Sequence, residues 1–216
     1  VMYGLLWVDD LVILSNDNNI RTRLITFLRD ERKYTLTDKG DAKWLLGIAL
    51  SRDREKRTIT LSQSLYIETM LSRFSAHIGR SNCRQFDIPA TEDLNAFHGQ
   101  PGPEAGSAEA EQMRPLLGVY LQIIGSLIWL TSCTLPHLSV ATNVLSRFSI
   151  NPSKDHWTAL MRVLLYIQKH PTESLTLGGL GPDVEVIRVV TDASHEETAS
   201  ISGVMIVMGS ALIDWI

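Results

Sequence analysis

Apolar positions recur with two different periods along the chain, and the change of period sets the expected elements. The opening stretch "LLWVDDLVIL", Leu5 to Leu14, is an apolar run with two aspartates at its centre. Two short apolar runs around a polar pair predict a β-hairpin, with Gly4–Trp7 as one strand and Leu11–Leu14 as the other. Helical spacing then takes over: Asn16 or Asp17 can cap a helix to about Arg32 whose Ile20, Leu24, Phe27 and Leu28 share a face. Strand-like pieces Trp44–Leu50 and Thr58–Leu61 flank the charged turn "RDREKR". From Ser62 to Phe74 the residues Ile67, Met70, Leu71 and Phe74 keep the i, i+3, i+4, i+7 spacing of an amphipathic helix.

Between Arg114 and Arg147 the chain has no Lys, Arg, Asp or Glu, and "LLGVYLQIIGSLIWLTSCTL" has the length of a membrane span. Gln122, Ser126, Thr131 and Ser132, two glycines and the missing basic flank favour instead a buried helix broken near Thr134-Leu135-Pro136. No membrane association is expected. Leu138, Ala141, Leu145 and Phe148 mark the next helix. Asn151, followed by Pro152, is the expected cap of a helix to about His170, with Trp157, Leu160, Met161 and Leu164 inward. The tail turns to strand-like alternation at Val184–Thr191, Ile201–Val207 and Ala211–Trp215, preceded by a loop, "LGGLGP".

Composition changes this picture little: 44% hydrophobic and 20% charged residues describe an ordinary folded chain. Phe86–Pro115, rich in Pro, Gly, Ala and Glu, reads as a linker. Charge is more informative, because the net −4 is unevenly spread. Val1–Gln85 has 14 basic and 10 acidic residues, whereas Glu173–Ile216 has 1 basic and 7 acidic. The opening segment therefore suits a phosphate-bearing partner. Cys83 and Cys133 make neither a disulfide framework nor a zinc pattern, which fits a reducing compartment. The chain starts without Met and stops within a strand, as a piece of a longer protein would.

The acidic pair Asp9-Asp10 has two readings. A turn accepts Asp, yet Asn-Gly or Asp-Gly turns a hairpin more readily, and adjacent carboxylates repel. That repulsion is relieved if a hard cation lies between them, as in the two-metal sites of phosphoryl transfer. The ten residues by themselves leave both readings open.

The order of blocks goes further. "WVDDLVILS", "LTDKGDAKWLLGIAL", "ITLSQSLYIETMLSRF", "IIGSLIWLTSCTLPHLSVATNVLSRFSINPSKDHWTALMRVLLYIQ" and "VTDASHEETASISGVMIVMGSALIDW" follow one another as in the copia-type retrotransposon reverse transcriptases. The chain resembles the carboxy-terminal half of such a polymerase running into its ribonuclease H. The resemblance implies an α+β fold: a partial palm and thumb over 1–85, the linker 86–115, a helical connection over 116–172 and the first ribonuclease H strands over 173–216. It implies that Asp9 and Asp10 are catalytic metal ligands in a site holding two Mg²⁺ ions. Trp7 and Val8 then flank the primer terminus. Asp192 matches the first metal-binding carboxylate of the ribonuclease H site. Implied partners are an RNA template, a DNA primer and the RNA–DNA hybrid, at the cytoplasmic and nuclear locations of the family; oligomeric state is not implied.

Departures from the pattern limit this. Trp7 replaces a usual Tyr, Leu135 and His137 stand where Arg and Asp are common, and Ser194 replaces a second Asp. "SHEETAS" is acidic where the family often carries Arg, so His137 and His195 read as drifted surface positions. A third polymerase carboxylate and the later ribonuclease H carboxylates belong outside these residues, so the piece alone is expected to be inactive. The alternative is a degenerate or co-opted protein that binds nucleic acid without catalysis.

Overall fold

The computed structural model describes residues 1–78, 86–90, 94, 97, 102–179, 186–194 and 201–216. His195, Cys83 and most of "SHEETAS" lie outside the described residues. The chain is built of helices and antiparallel sheets, an α+β architecture, and divides into two compact units, Val1–Leu45 and Leu46–Ile216.

In the first unit, β1 (Met2–Trp7) and β2 (Asp10–Ser15) form a two-stranded antiparallel sheet in the register Met2↔Ser15 to Trp7↔Asp10. Helix α1 (Asn18–Thr26) starts at Asp17, whose side chain accepts from the Asn19 N–H at 2.7 Å. The choice between Asn16 and Asp17 is thus settled for Asp17. The expected helix continues to Glu31 with a widened, π-type turn over Phe27–Glu31. Its apolar stripe is only half-buried, and Phe27 is exposed. A short strand, β3 (Trp44–Leu45), ends the unit.

The second unit has a helical core. Strands β4 (Ile48–Asp53) and β5 (Thr58–Ser62) form a hairpin whose turn is held by Asp53, its carboxylate accepting from the N–H groups of Glu55 and Lys56 at 3.0 and 2.9 Å. These bonds hold the Asp53 carboxyl below its usual range, the Lys56 N–H contributing most. The anticipated strand from Trp44 to Leu50 is interrupted because Leu46 and Gly47 take φ of 50° and 81°.

Helix α2 (Ser64–Arg73) buries Ile67 and Met70, and α3 (Ser75–Ile78) extends it by a turn. After α4 (Ala108–Met113), which falls inside the stretch expected to be linker, comes α5 (Leu117–Cys133). The helical stretch Ala108–Cys133 is long and apolar enough to cross a membrane by length and composition. Within the fold, Tyr120, Ile123, Leu127 and Leu130 on α5 are fully buried against α6 (Ser139–Ser146) and α7 (Lys154–Lys169), so this face is the core. The Tyr120 hydroxyl donates to the Leu145 carbonyl at 2.8 Å, fastening α5 to α6. Burial pushes that phenol's pKa upward.

The break at the end of α5 falls where expected, with a 3₁₀ turn over Pro136–Leu138. The cap of α7 does not. Ser153, rather than Asn151, caps it in a reciprocal box: Ser153 Oγ accepts from the His156 N–H at 3.3 Å and His156 Nδ1 accepts from the Ser153 N–H at 2.9 Å. Asn151 instead donates its side-chain amide to the Pro103 carbonyl at 3.0 Å. Leu160 and Leu164 are buried as expected, while Trp157 and Met161 are half-buried.

Strand β6 (Ser174–Gly178), which no alternation announced, pairs with β5 in the register Thr58↔Gly178 to Ser62↔Ser174. Three further strands, β7 (Ile187–Ser194), β8 (Ile201–Met208) and β9 (Ala211–Trp215), make a separate antiparallel meander with a bulge at Ile206/Val207. β8 and β9 match the predicted tail strands to within a residue, whereas the strand expected over Val184–Thr191 is β7, running on to Ser194, and Val184 lies outside the described residues.

Candidate functional site

The hairpin brings the first three candidate residues to one tip. Trp7 and Asp10 are the last pair of the ladder, so the two-residue turn is Val8-Asp9, and Asp10 belongs to the strand. This corrects the reading of both aspartates as turn residues. Two-residue hairpin turns demand positive φ, which Gly or Asn supplies without strain. Here Val8 supplies it with φ 52°. A β-branched residue in that region is strained, and the strain sits next to the acidic pair.

Val8 and Trp7 are 81% and 58% exposed, and Asp9 is exposed too. The Asp10 carboxylate lies 4.0 Å from Lys39 Nζ, both side chains largely in solvent, a pair of small energetic weight. Tyr3, Leu5, Leu6 and Leu14 are also at least half exposed, so the hairpin shows apolar side chains on both faces. Among the described residues no third strand joins it.

Asp192 stands apart from this pair, in β7 opposite Gly203 of β8, with its side chain exposed. A Cβ built at Gly203 would meet nothing within 4 Å, so the surface beside Asp192 is open. Whether the carboxylates fit Mg²⁺ can be tested on the donor set. Their chemistry fits, since hard oxygen donors are what the ion takes. Their number does not: among the described residues no group of three or more His, Cys, Asp or Glu is arranged to hold a metal. Mg²⁺ is octahedral, and two adjacent carboxylates fill a minority of its positions.

The division into units also relocates the positive charge. Val1–Leu45 has seven basic and seven acidic residues, so the unit bearing the aspartates is neutral. The excess of the first 85 residues comes from 46–85, with seven basic and three acidic residues, several in the turn after β4.

A cluster that the sequence did not announce joins His137, Tyr166, His170 and Glu173. The Tyr166 hydroxyl donates to Glu173 Oε1 at 2.8 Å, and His137 Nε2 lies 2.9 Å from Glu173 Oε2. Burial, and then the neighbouring Glu173 carboxylate, push the Tyr166 phenol upward. His137, in the 3₁₀ turn Pro136–Leu138, is exposed as expected, and is at the same time engaged with Glu173. Its signal in the sequence was faint, because Glu173 lies 36 residues away, beyond a helix.

The chain aligns with the retrovirus-related Pol polyprotein from transposon TNT 1-94 of Nicotiana tabacum at 29% identity over 216 residues, 98% of this chain. Its homologues are retrotransposon Pol polyproteins. A second, from transposon RE2 of Arabidopsis thaliana, is 28% identical over 177 residues, 82% of this chain. Both are polyproteins from plant copia-type transposons. This homologue spans only 15% and 11% of those two polyproteins. A third relative is the secreted RxLR effector protein 161 of Plasmopara viticola, 33% identical over 98 residues, which are 44% of this chain and 69% of that protein. No family model matches the chain, and no solved structure matches it.

Proposed function

We propose that this Pol homologue is the reverse-transcriptase segment that carries the Asp-Asp hairpin, followed by the first strands of a ribonuclease H domain. The observation that carries the reading is the alignment with a transposon Pol polyprotein across 98% of the chain, with the acidic pair standing at the end of a hairpin. In the parent protein Asp9 and Asp10 contribute carboxylate oxygens to Mg²⁺ alongside donors from outside these residues. Asp192 contributes the corresponding group of the nuclease site. In this reading Trp7 and Val8, both exposed, are the residues that touch a primer terminus, and the apolar faces of the hairpin suit burial against further palm structure. The RNA template, the DNA primer and their hybrid are the partners this reading requires, with the basic segment 46–85 offering the phosphate contacts.

Fluorescence anisotropy with a labelled RNA–DNA hybrid tests this. Binding is expected to weaken steeply as salt rises, since phosphate contacts release counterions. Reversing the charge of Arg54 and Arg57 is expected to flatten that dependence. Absent or salt-insensitive binding would overturn the proposal. On the donor count, the 216 residues by themselves are expected not to extend a primer. A second reading is a co-opted protein that binds nucleic acid without catalysis; the match to the secreted effector, most of whose length one part of this chain covers, supports the co-option and not the binding. In that case binding is unaffected by Mg²⁺ and by Asp9→Asn.

A further inference from the structure

Helix α7 has its first turn capped from two places, its own segment and α4. In the segment, Ser153 and His156 form the reciprocal box, so His156 Nδ1 is an unprotonated acceptor and the ring's proton is on Nε2. From 45 residues earlier in the chain, Glu109 Oε1 accepts the Lys154 N–H at 2.9 Å. The stretch 102–113 that carries Glu109 is fastened nearby as well. Its Pro103 carbonyl accepts from the Asn151 side chain, and Gly102 lies so close that an added Cβ would stand 2.3 Å from the Asn151 carbonyl oxygen.

His156 stands where these contacts meet. It is 1% exposed, its ring is stacked on Phe148 with centroids 3.7 Å apart, and Phe97 meets it in a T-shaped contact at 4.6 Å. Nε2 already holds a proton and has no hydrogen-bond partner. A second proton therefore goes to Nδ1, where it meets the Ser153 N–H, donor against donor, at the positive end of the α7 dipole. Asp155 on α7 and Glu109 on α4 are the charged groups that act on the ring, while Phe97 and Phe148 bring rings without charge. Burial depresses the imidazole pKa, and the two carboxylates pull more weakly the other way. The closed arrangement is thus held above the unfolded value, 6.5, and is lost as pH falls below it.

We propose that His156 is a pH-operated clasp: its protonation undoes the box at the start of α7 and frees the stretch 102–113 from that helix, while the core of α5, α6 and α7 stays packed. The imidazolium draws on Asp155 and Glu109, and Glu109 is also the cap of Lys154, so the two caps loosen together. The core can outlast them, because Ile123, Leu127, Leu145, Leu160 and Leu164 are buried against one another without His156.

Amide hydrogen exchange by NMR on the full 216-residue chain, from about pH 7.5 to about pH 5 and corrected for intrinsic rates, tests this. The amides of Glu111, Lys154 and His156 are expected to lose protection by up to about tenfold per pH unit, the slope of a one-proton event. Those of Ile123 and Leu127 in α5 are expected to keep theirs. His156→Gln retains a side-chain acceptor that does not titrate, in the Ser-x-x-Gln form of the box, and is expected to abolish the response. Glu109→Gln, on an exposed side chain, keeps an acceptor for the Lys154 N–H but removes a charge that favours the imidazolium. Release in that variant is expected at lower pH, a readout that stands even if His156→Gln fails to fold. Equal loss of protection in α5, no pH response at the three amides, a response that survives in folded His156→Gln, or release at unchanged or higher pH in Glu109→Gln overturns the proposal.

Discussion

Two side chains carry more of the local energetics than their neighbours, Val8 and His156. Val8 holds the left-handed conformation of the hairpin turn, which costs an L-residue about 1–2 kcal/mol, more when β-branched. Glycine returns part of that in lost unfolded-state freedom. Val8→Gly is therefore expected to stabilise the first unit by about 1 kcal/mol, read from hydrogen exchange of the hairpin amides. His156 is buried, and its Nδ1 accepts the Ser153 N–H, so the fold requires neutral imidazole. Burial pushes its pKa down, against a weaker upward pull from Asp155 and Glu109. A depressed folded-state value contributes stability that is present above the unfolded value, 6.5, and is lost as pH falls toward the folded one. Denaturation midpoints are thus expected to drop on acidification below about 6.5, and His156→Asn to flatten that segment of the curve.

At the scale of elements, the helices were the most legible part. The stripes on α2, α6 and α7 repeat apolar residues every three or four positions, and Ile67, Leu145, Leu160 and Leu164 are all buried. Helix α5 was legible as a buried helix because polar residues interrupt its apolar run. Truncating its centre, Leu127→Ala, is expected to cost about 2–5 kcal/mol by opening a cavity in the core, measured by urea unfolding. What the periodicity missed were pairings set by distant chain. Strand β6 is short and offers only Leu175 and Leu177 as apolar signals, and it becomes a strand because β5, more than 110 residues earlier, presents an open edge. The cap of α7 was misplaced by two residues, since Asn151-Pro152 has the expected form but its side chain is drawn to Pro103. Glu173→Gln is expected to destabilise the junction of α7 and β6 by about 1 kcal/mol, through loss of charge in its bonds to Tyr166 and His137.

At the scale of the whole molecule, the order of motifs identified the relatives, whereas the site was legible only as a list of carboxylates. Asp9 and Asp10 share a hairpin, but Asp192 lies on a different sheet, and no third donor gathers among the described residues. Metal sites are assembled by tertiary contacts, which a linear pattern does not record. The positive excess likewise belongs to residues 46–85 and not to the unit carrying the acidic pair.

The central claim is that the two hairpin carboxylates are metal-holding groups and not ordinary turn residues. Titrating Mn²⁺, a paramagnetic stand-in for Mg²⁺, into the ¹⁵N-labelled chain tests it most directly. Selective broadening of the Val8, Asp9 and Asp10 amides, abolished by Asp9→Asn with Asp10→Asn and competed by Mg²⁺, is the predicted result. Broadening no stronger at this turn than at the exposed carboxylates of Asp30 and Asp38 would contradict it.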